Sequence, residues 1–369
     1  MEKKSSKGKK GKKYQAIAWV IVILILVVLL LAGGVAFLTQ SGKNRLRQNA
    51  VSAKPDIGEQ LAKEETKEET KEEELLPDDA VWEDDWVTYN GQVYDYNEDI
   101  LTFLCMGVDV NSKVKDTQKG LASGQADALF LLVLNPDIKK INIIAIDRNT
   151  MADFDVYDEQ GNYKSTQYGQ ITLAHAYGDG KELSAENTLK AVSALMYNLP
   201  IHGYCAINMG AIGEINDAVG GVDVTVLQDL TAVDKSLKEG ELVHLKGKQA
   251  YYYVQHRDTS VEESARMRLN RQKQYLTAYI AKAKEAFKQD VTLPVTLFNK
   301  LTPYMITDIT LDEVVYLAGQ AAGYSFSSDN MYTIPGSTDT GNRFEEFYPD
   351  EAGLKDLIME IFYTPVGTK

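Results

Sequence analysis

The run from Ile17 to Leu38 is almost wholly apolar and carries no charged residue. At helical rise it spans the roughly 30 Å hydrocarbon core of a bilayer and reads as a transmembrane helix. A cleaved signal peptide is the competing reading, with Leu31-Ala32-Gly33-Gly34-Val35-Ala36 imitating a cleavage site. Its apolar core would be shorter, on the order of 7–15 residues, so an anchor fits better. Lys3, Lys4, Lys7, Lys9, Lys10, Lys12 and Lys13 precede the run and are expected to stay inside. The expected order is a cytoplasmic basic tail over 1–16, a single-pass helix in the cell membrane over 17–38, and everything later on the outer side.

Residues 39–94 are expected to form an acidic stalk. Lys63-Glu64-Glu65-Thr66 is followed directly by Lys67-Glu68-Glu69-Thr70, and so polar a segment has little to bury. The net charge of −14 averages this acidic stretch with the basic tail and argues against a nucleic-acid partner. An anionic substrate would need arginines concentrated locally. Cys105 and Cys205 both lie in apolar, strand-like runs and read as buried thiols, and no Cys/His cluster points to zinc.

From residue 95 to 365 the composition is that of a globular domain, about 270 residues long and able to bury one large core. Continuous apolar runs at Ile100–Met106, Leu129–Leu134, Ile141–Ile146, Tyr204–Ile207 and Val222–Val226 read as strands buried on both faces. Helical spacing marks Ala185–Tyr197, Met209–Val219 and a longer helix from about Ala265. Thr310 with Glu313 makes a capping box, and Asp350 reads as the cap of a last helix over Glu351–Phe362. The mixture predicts an α/β fold, a central mixed sheet flanked by helices.

Two carboxylates and a set of arginines stand where chemistry is expected. Asp109 follows the first core strand, at the end where open α/β sheets place ligands. Asp127 opens the next strand; if the two strands are antiparallel neighbours, the carboxylates lie close together and suit a hard cation such as Mg²⁺. Arg148 follows the third strand, Arg257 follows Tyr251-Tyr252-Tyr253-Val254, and Arg266, Arg268, Arg271 and Gln272 cluster at the start of the long helix. Arg268, Arg271 and Gln272 share one helix face, in a first turn that favours an anion. Planar guanidinium forks suit a pyrophosphate; a solvated charged face is the plainer reading of the same spacing.

The order of these pieces resembles the LytR-CpsA-Psr family of cell-wall glycopolymer transferases. The matching stations include Phe103-Leu104-Cys105-Met106-Gly107-Val108-Asp109, Ala126-Asp127-Ala128-Leu129, Ile144-Ala145-Ile146-Asp147-Arg148-Asn149-Thr150, Ile171-Thr172-Leu173-Ala174-His175-Ala176-Tyr177 and Arg268-Leu269-Asn270-Arg271-Gln272. Ala218-Val219-Gly220-Gly221-Val222-Asp223-Val224 and Leu245-Lys246-Gly247-Lys248-Gln249-Ala250 fall between them in the family's order. The resemblance implies the family's αβα sandwich and a phosphotransferase that moves a teichoic-acid-like or capsular polymer from an undecaprenyl-pyrophosphate carrier to peptidoglycan. The lipid would lie in an apolar cavity, Asp109 and Asp127 would hold Mg²⁺, and Arg148, Arg257, Arg268 and Arg271 would clamp the pyrophosphate. Asp109, Asp127 and Arg148 are the implied catalytic residues.

Four positions depart from the family pattern, with Gln125 and Gln255 in place of arginines and Asn149 and Ala265 in place of aspartates. Lys113, Lys115, Lys119 or Arg266 are candidates for the missing charge, and Asp258, Glu262 or Glu263 for a missing carboxylate. The departures keep two other readings open, a non-catalytic lipid-binding wall protein and a pyrophosphate hydrolase. His175 reads as helix packing, Asp223 as structural, and Leu129, Phe130, Leu132 and Val133 as core, some of which could line the lipid cavity.

Overall fold

Long apolar runs without a helical period bury best as central strands, and four of the five predicted runs do so here. The computed structural model describes residues 38–46, 55–58, 61, 82–83, 86–116, 120–258, 260–261, 263–340 and 344–367. β3 (Leu101–Val108), β4 (Ala126–Asn135), β5 (Lys140–Ile146) and β8 (Gly203–Asn208) form the middle of a six-stranded sheet. Short edges β11 (Met305–Thr307) and β12 (Met331–Thr333) complete the order β11-β8-β3-β4-β5-β12. The sheet is mixed: β3 runs antiparallel to β4 and parallel to β8, and β5 runs antiparallel to β4 and parallel to β12. The fifth run forms β9 (Val222–Thr225), which pairs with β10 (Leu242–Leu245) outside this sheet.

Alternation along each strand sends side chains to two separate cores. Leu129, Leu131 and Val133 join helices α2 (Leu173–Ala176), α3 (Glu182–Leu195) and α9 (Glu351–Phe362) on one face. Phe130 and Leu134 face the other way, toward α6 (Ser264–Gln289) and α8 (Leu311–Gly323). The expected sandwich of helices about a mixed sheet is present. Thr310 and Glu313 close the capping box that opens α8, and the Asp350 carboxylate accepts from Gly353 N at 3.1 Å to open α9.

Beyond α6, a third core is built by β9 and β10 with α5 (Lys248–Gln255), α6 and α7 (Leu293–Leu301), away from the sheet. It holds the middle and end of α6, through Tyr275, Tyr279, Ala283 and Phe287. Two further hairpins flank the main sheet, β6 (Met151–Tyr157) with β7 (Tyr163–Gln170), and β13 (Gly336–Asp339) with β14 (Glu346–Pro349).

The predicted stalk over 39–94 is corrected where it is described. Helix α1 (38–46) lies against the start of α8, with Ser41 Oγ donating to Asp312 at 2.6 Å and Arg45 paired to the same carboxylate at 3.1 Å. Leu46, Ile57 and Leu61 are buried in the domain cores. β1 (Trp86–Tyr89) and β2 (Gln92–Tyr96) form a hairpin on Asn90-Gly91, both at positive φ as its two-residue turn requires, and β15 (Tyr363–Pro365) adds to it. The folded domain therefore begins before residue 95. Isolated apolar residues in a polar segment carry no period, so hydropathy gives no warning that they pack. The tail over 1–16 and the apolar run over 17–37 lie outside the described residues; among those described, no helix is long and apolar enough to cross a membrane.

Candidate active site

Antiparallel pairing of β3 and β4 sets Val108 opposite Ala126, so the chain ends beside them bring Asp109 and Asp127 to one end of the sheet. The expected juxtaposition of the two carboxylates is present. Asp109 Oδ1 accepts from Gln125 N at 2.6 Å, while Asp109 N donates back to Gln125 O at 3.1 Å. Gly124 makes this approach possible: it has φ +93°, and a Cβ there would sit 2.5 Å from Val110 and 3.0 Å from Asp109 Oδ1.

Asp127 is 8% exposed and grips two arginines. Its Oδ1 accepts from Arg148 Nη1, and its Oδ2 accepts from Arg268 Nη1 at 2.9 Å. Arg148 arrives because β5, antiparallel to β4, ends with Ile146 opposite Leu129. Arg268 arrives from the first turns of α6 and is 4% exposed. Arg148 Nη2 donates to Gln125 Oε1 at 2.6 Å, so this neutral departure orients a retained arginine. Arg148 Nε is buried without a partner, an orphaned donor of the kind an anion would satisfy.

Electrostatics follow from this crowding. Burial pushes the Asp109 carboxyl above the ordinary carboxylate range, and neighbouring Asp127 adds to the effect. Burial also lowers Arg148, with Asp127 opposing and Arg268 and Arg257 assisting. Asp147, adjacent in sequence to Arg148, is raised by burial even though Arg268, Arg148 and Arg257 all act on it. All three guanidinium groups thus lie within electrostatic reach of Asp147, two of them meeting on Asp127.

Arg257 donates from Nε to Ser264 Oγ at 2.9 Å and from Nη2 to Glu345 at 3.0 Å. Glu345 also accepts from Asn149 Nδ2 at 3.3 Å, and its backbone oxygen accepts from Gln170 Nε2 at 2.7 Å. It is the carboxylate that completes the arginine set, and it comes from the loop before β14, in no motif. Of the sequence candidates for that role, Asp258 is spent on the Ser260 turn, Glu263 pairs with exposed Arg266, and Glu262 lies outside the described residues. Asp147 directly precedes Arg148 in the stretch Ile144-Ala145-Ile146-Asp147-Arg148.

Three of the sequence candidates at the start of α6 have their side chains on partners other than Asp127. Arg266 is 68% exposed and paired to Glu263 at 3.6 Å, on the outer side of its helix. Arg271 is buried but donates to the carbonyls of Tyr253 (2.8 Å) and His256, with its cation over the Tyr253 ring at 5.9 Å. Gln272 donates to Val254 O at 3.1 Å. Their shared helix face meets the carbonyl-bearing end of α5, so they brace the segment that delivers Arg257. Lys113 lies over Tyr304 at 5.8 Å. His175 is buried, with Nδ1 3.0 Å from Gly124 O, and burial lowers its pKa. It braces the loop that carries Gly124 and Gln125, as its packing context predicted.

A cavity of about 610 Å³ lies under the sheet, close to this cluster. Phe130, Leu132, Ile143, Tyr279, Ile280 and Leu317 are among its walls. Gly107, Ala128 and Gln272 line it too, each next to or a few residues from Asp109, Asp127 and Arg268. Phe130 and Leu132 therefore line the cavity, while Leu129 and Val133 are core on the opposite face. Cys105 and Cys205 are register partners on β3 and β8; both line the cavity as free thiols.

Fold and site together define a three-layer α/β domain with an apolar cavity beside a carboxylate–arginine cluster. The chain belongs to the LytR_cpsA_psr family, whose model matches residues 56–360. It is 26% identical over 267 residues to the polyisoprenyl-teichoic acid–peptidoglycan teichoic acid transferase TagU of Bacillus cereus, covering 71% of this chain and 77% of that protein. The TagU of Bacillus mycoides is 31% identical over 182 residues, 49% of this chain and 52% of that one. Against this second relative the chain spans about half the relative's length. In fold it is similar to a crystal structure from Streptococcus agalactiae (TM-score 0.57, 19% identity, 71% of this chain and 86% of that). TagT bound to LI-WTA gives a TM-score of 0.52 at 19% identity, covering 71% and 89%.

Proposed function

We propose that the chain is a membrane-anchored glycopolymer transferase, moving a phosphate-linked polymer from a prenyl-pyrophosphate carrier to a peptidoglycan hydroxyl on the outer side of the cell membrane. One observation carries the reading: Arg148 and Arg268 meet on Asp127, with Asp109 and Arg257 in electrostatic reach of Arg148, beside cavity walls that include Gly107, Ala128 and Gln272. The cavity suits the prenyl chain, and the guanidinium groups suit the two phosphates. The apolar run over 17–38 supports an anchor, which would raise the domain's effective concentration near a lipid-linked donor.

In this reading the acceptor oxygen attacks the phosphorus nearer the polymer. The bond from that phosphorus to the bridging oxygen breaks, and prenyl monophosphate leaves with the electron pair. Arg148 and Arg268, already fixed by Asp127, stabilise the charge gathering on the leaving phosphate without reorganising. Asp109, its basicity raised by burial, takes the acceptor's proton. Asp109 and Asp127 would hold Mg²⁺ alongside substrate phosphates and water, Asp127 through lone pairs left beside its bonds from Arg148 and Arg268. The ion, when bound, would neutralise pyrophosphate charge.

The test is product analysis with the purified full-length chain in detergent, a prenyl-pyrophosphate glycan and peptidoglycan. Polymer joined to peptidoglycan with prenyl monophosphate released supports transfer. Monophosphate released equally without acceptor would assign hydrolysis instead, and donor binding without turnover in any divalent cation would assign a lipid-binding role.

A further inference from the structure

Among the described residues four aromatic side chains are exposed, Tyr163, Tyr168, Phe344 and Tyr348. All four stand on the β6–β7 and β13–β14 hairpins or the loop entering β14. The hairpins form one ribbon, because Thr150 bridges Phe347 in parallel and β14 lies against β6. Register decides which side chains share a face. Tyr168 is opposite Asp153 and Gln170 opposite Met151, and one step beyond the Thr150–Phe347 bridge sets Tyr348 beside Met151. Tyr348, Asp153, Tyr168 and Gln170 therefore point outward together, whereas Ala152, Phe154 and Phe347 point into the core. Two strand spacings and two residues separate Tyr348 from Tyr168, roughly 10–12 Å between Cα atoms, about the length of a disaccharide.

The ribbon leads to the reacting end. Gln170, at the end of β7, bonds Glu345 O, and the Glu345 carboxylate holds Arg257. Its charge is negative or neutralised. Asp153 is exposed, Tyr348 OH donates to Glu346 at 2.7 Å, and the lysines on the ribbon side are held, Lys164 by Asp158 at 2.7 Å and Lys190 by Asp155 at 2.6 Å. Flat aromatic faces take the C–H faces of pyranose rings, and carboxylates take sugar hydroxyls and amides. A chain of phosphodiesters would be repelled.

We propose that this outer face is the acceptor subsite, binding the sugar chain of peptidoglycan rather than the phosphate-bearing polymer of the donor. The inference rests on the transfer reading for the identity of the acceptor, and on the ribbon alone for the binding.

The test is co-sedimentation of the full-length chain, in detergent micelles, with peptidoglycan stripped of anionic polymers. The double substitution Tyr168→Ala/Tyr348→Ala is expected to weaken retention about tenfold or more, and Tyr168→Phe/Tyr348→Phe to stay within about twofold. Binding of undecaprenyl pyrophosphate, read by thermal shift, should be equal in all three proteins. Iodination of the unsubstituted chain gives a second measurement that does not depend on a variant folding: soluble peptidoglycan fragments should protect Tyr168 and Tyr348. Unchanged sedimentation with equal labelling would overturn the subsite, as would selective loss of binding to purified teichoic acid. If the chain binds peptidoglycan through this face yet transfers nothing, the transfer reading alone fails. Normal transfer by the alanine pair at an unchanged acceptor KM would remove the subsite alone.

Discussion

Arg268 Nη1 lies 2.9 Å from Asp127 Oδ2, joining the first turns of a late helix to the start of a central strand across 141 residues. Both side chains are almost fully buried. Removing one partner of such a pair leaves an uncompensated charge, typically at a cost of about 3–5 kcal/mol. Arg268→Met is therefore expected to lower the unfolding midpoint markedly, as read by calorimetry, because Asp127 keeps only Arg148. Arg266→Ala, two residues away on the exposed side, is expected to change stability by less than about 0.5 kcal/mol and to leave transfer intact.

The Glu345 carboxylate holds Arg257 at 3.0 Å, where under the proposed transfer a phosphate oxygen would bind. Glu345→Gln removes the competing charge while keeping a polar side chain opposite Asn149. Its affinity for prenyl pyrophosphate, by titration calorimetry, is expected to rise about three- to tenfold, a gain of the order of 1 kcal/mol. Weaker binding would mean that Glu345 acts mainly to hold Arg257 in place.

His175 is buried and His202 half-buried, and burial lowers the pKa of both. In the unfolded chain each imidazole binds a proton near its ordinary value of about 6.5. Where the unfolded state holds more protons, stability rises with pH, so the contribution of neutral His175 is complete above that value and declines as pH falls below it. Melting midpoints are expected to drop between pH 7.5 and pH 5.5, and His175→Gln to flatten part of that slope. A slope unaltered by the substitution would place the effect on other groups.

Ala318 lines the cavity from α8. Ala318→Phe fills space there without touching the arginine cluster. It is expected to weaken binding of prenyl phosphate more than about tenfold while leaving binding of inorganic pyrophosphate unchanged. Loss of both would show that the substitution disturbs the fold around α6 and α8.

The central strands were legible because burial on both faces demands uninterrupted apolar runs, and Asp109, Asp127 and Arg148 were legible because each adjoins such a run. Hairpins β6–β7 and β13–β14 were not, since Lys164, Thr166, Gln167 and Tyr168 face solvent and give no apolar pattern. Glu345 was invisible for the same reason; only tertiary pairing of its loop with Asn149 and Gln170 brings it to Arg257. The arginines of α6 show what spacing cannot decide. A face shared by Arg268, Arg271 and Gln272 is correct geometry, yet Arg268 meets a carboxylate while Arg271 and Gln272 meet the end of α5.

Single-turnover transfer of a labelled polymer from prenyl pyrophosphate to peptidoglycan, with Mg²⁺ present, compares the unsubstituted chain with Arg148→Ala most directly. Measured at a temperature where circular dichroism shows it folded and with donor saturating, the variant is expected to lose about 100-fold or more in rate, the scale of removing one preorganised donor from a developing anion. A rate equal to that of the unsubstituted chain would contradict the assignment of the arginine cluster to the reacting pyrophosphate.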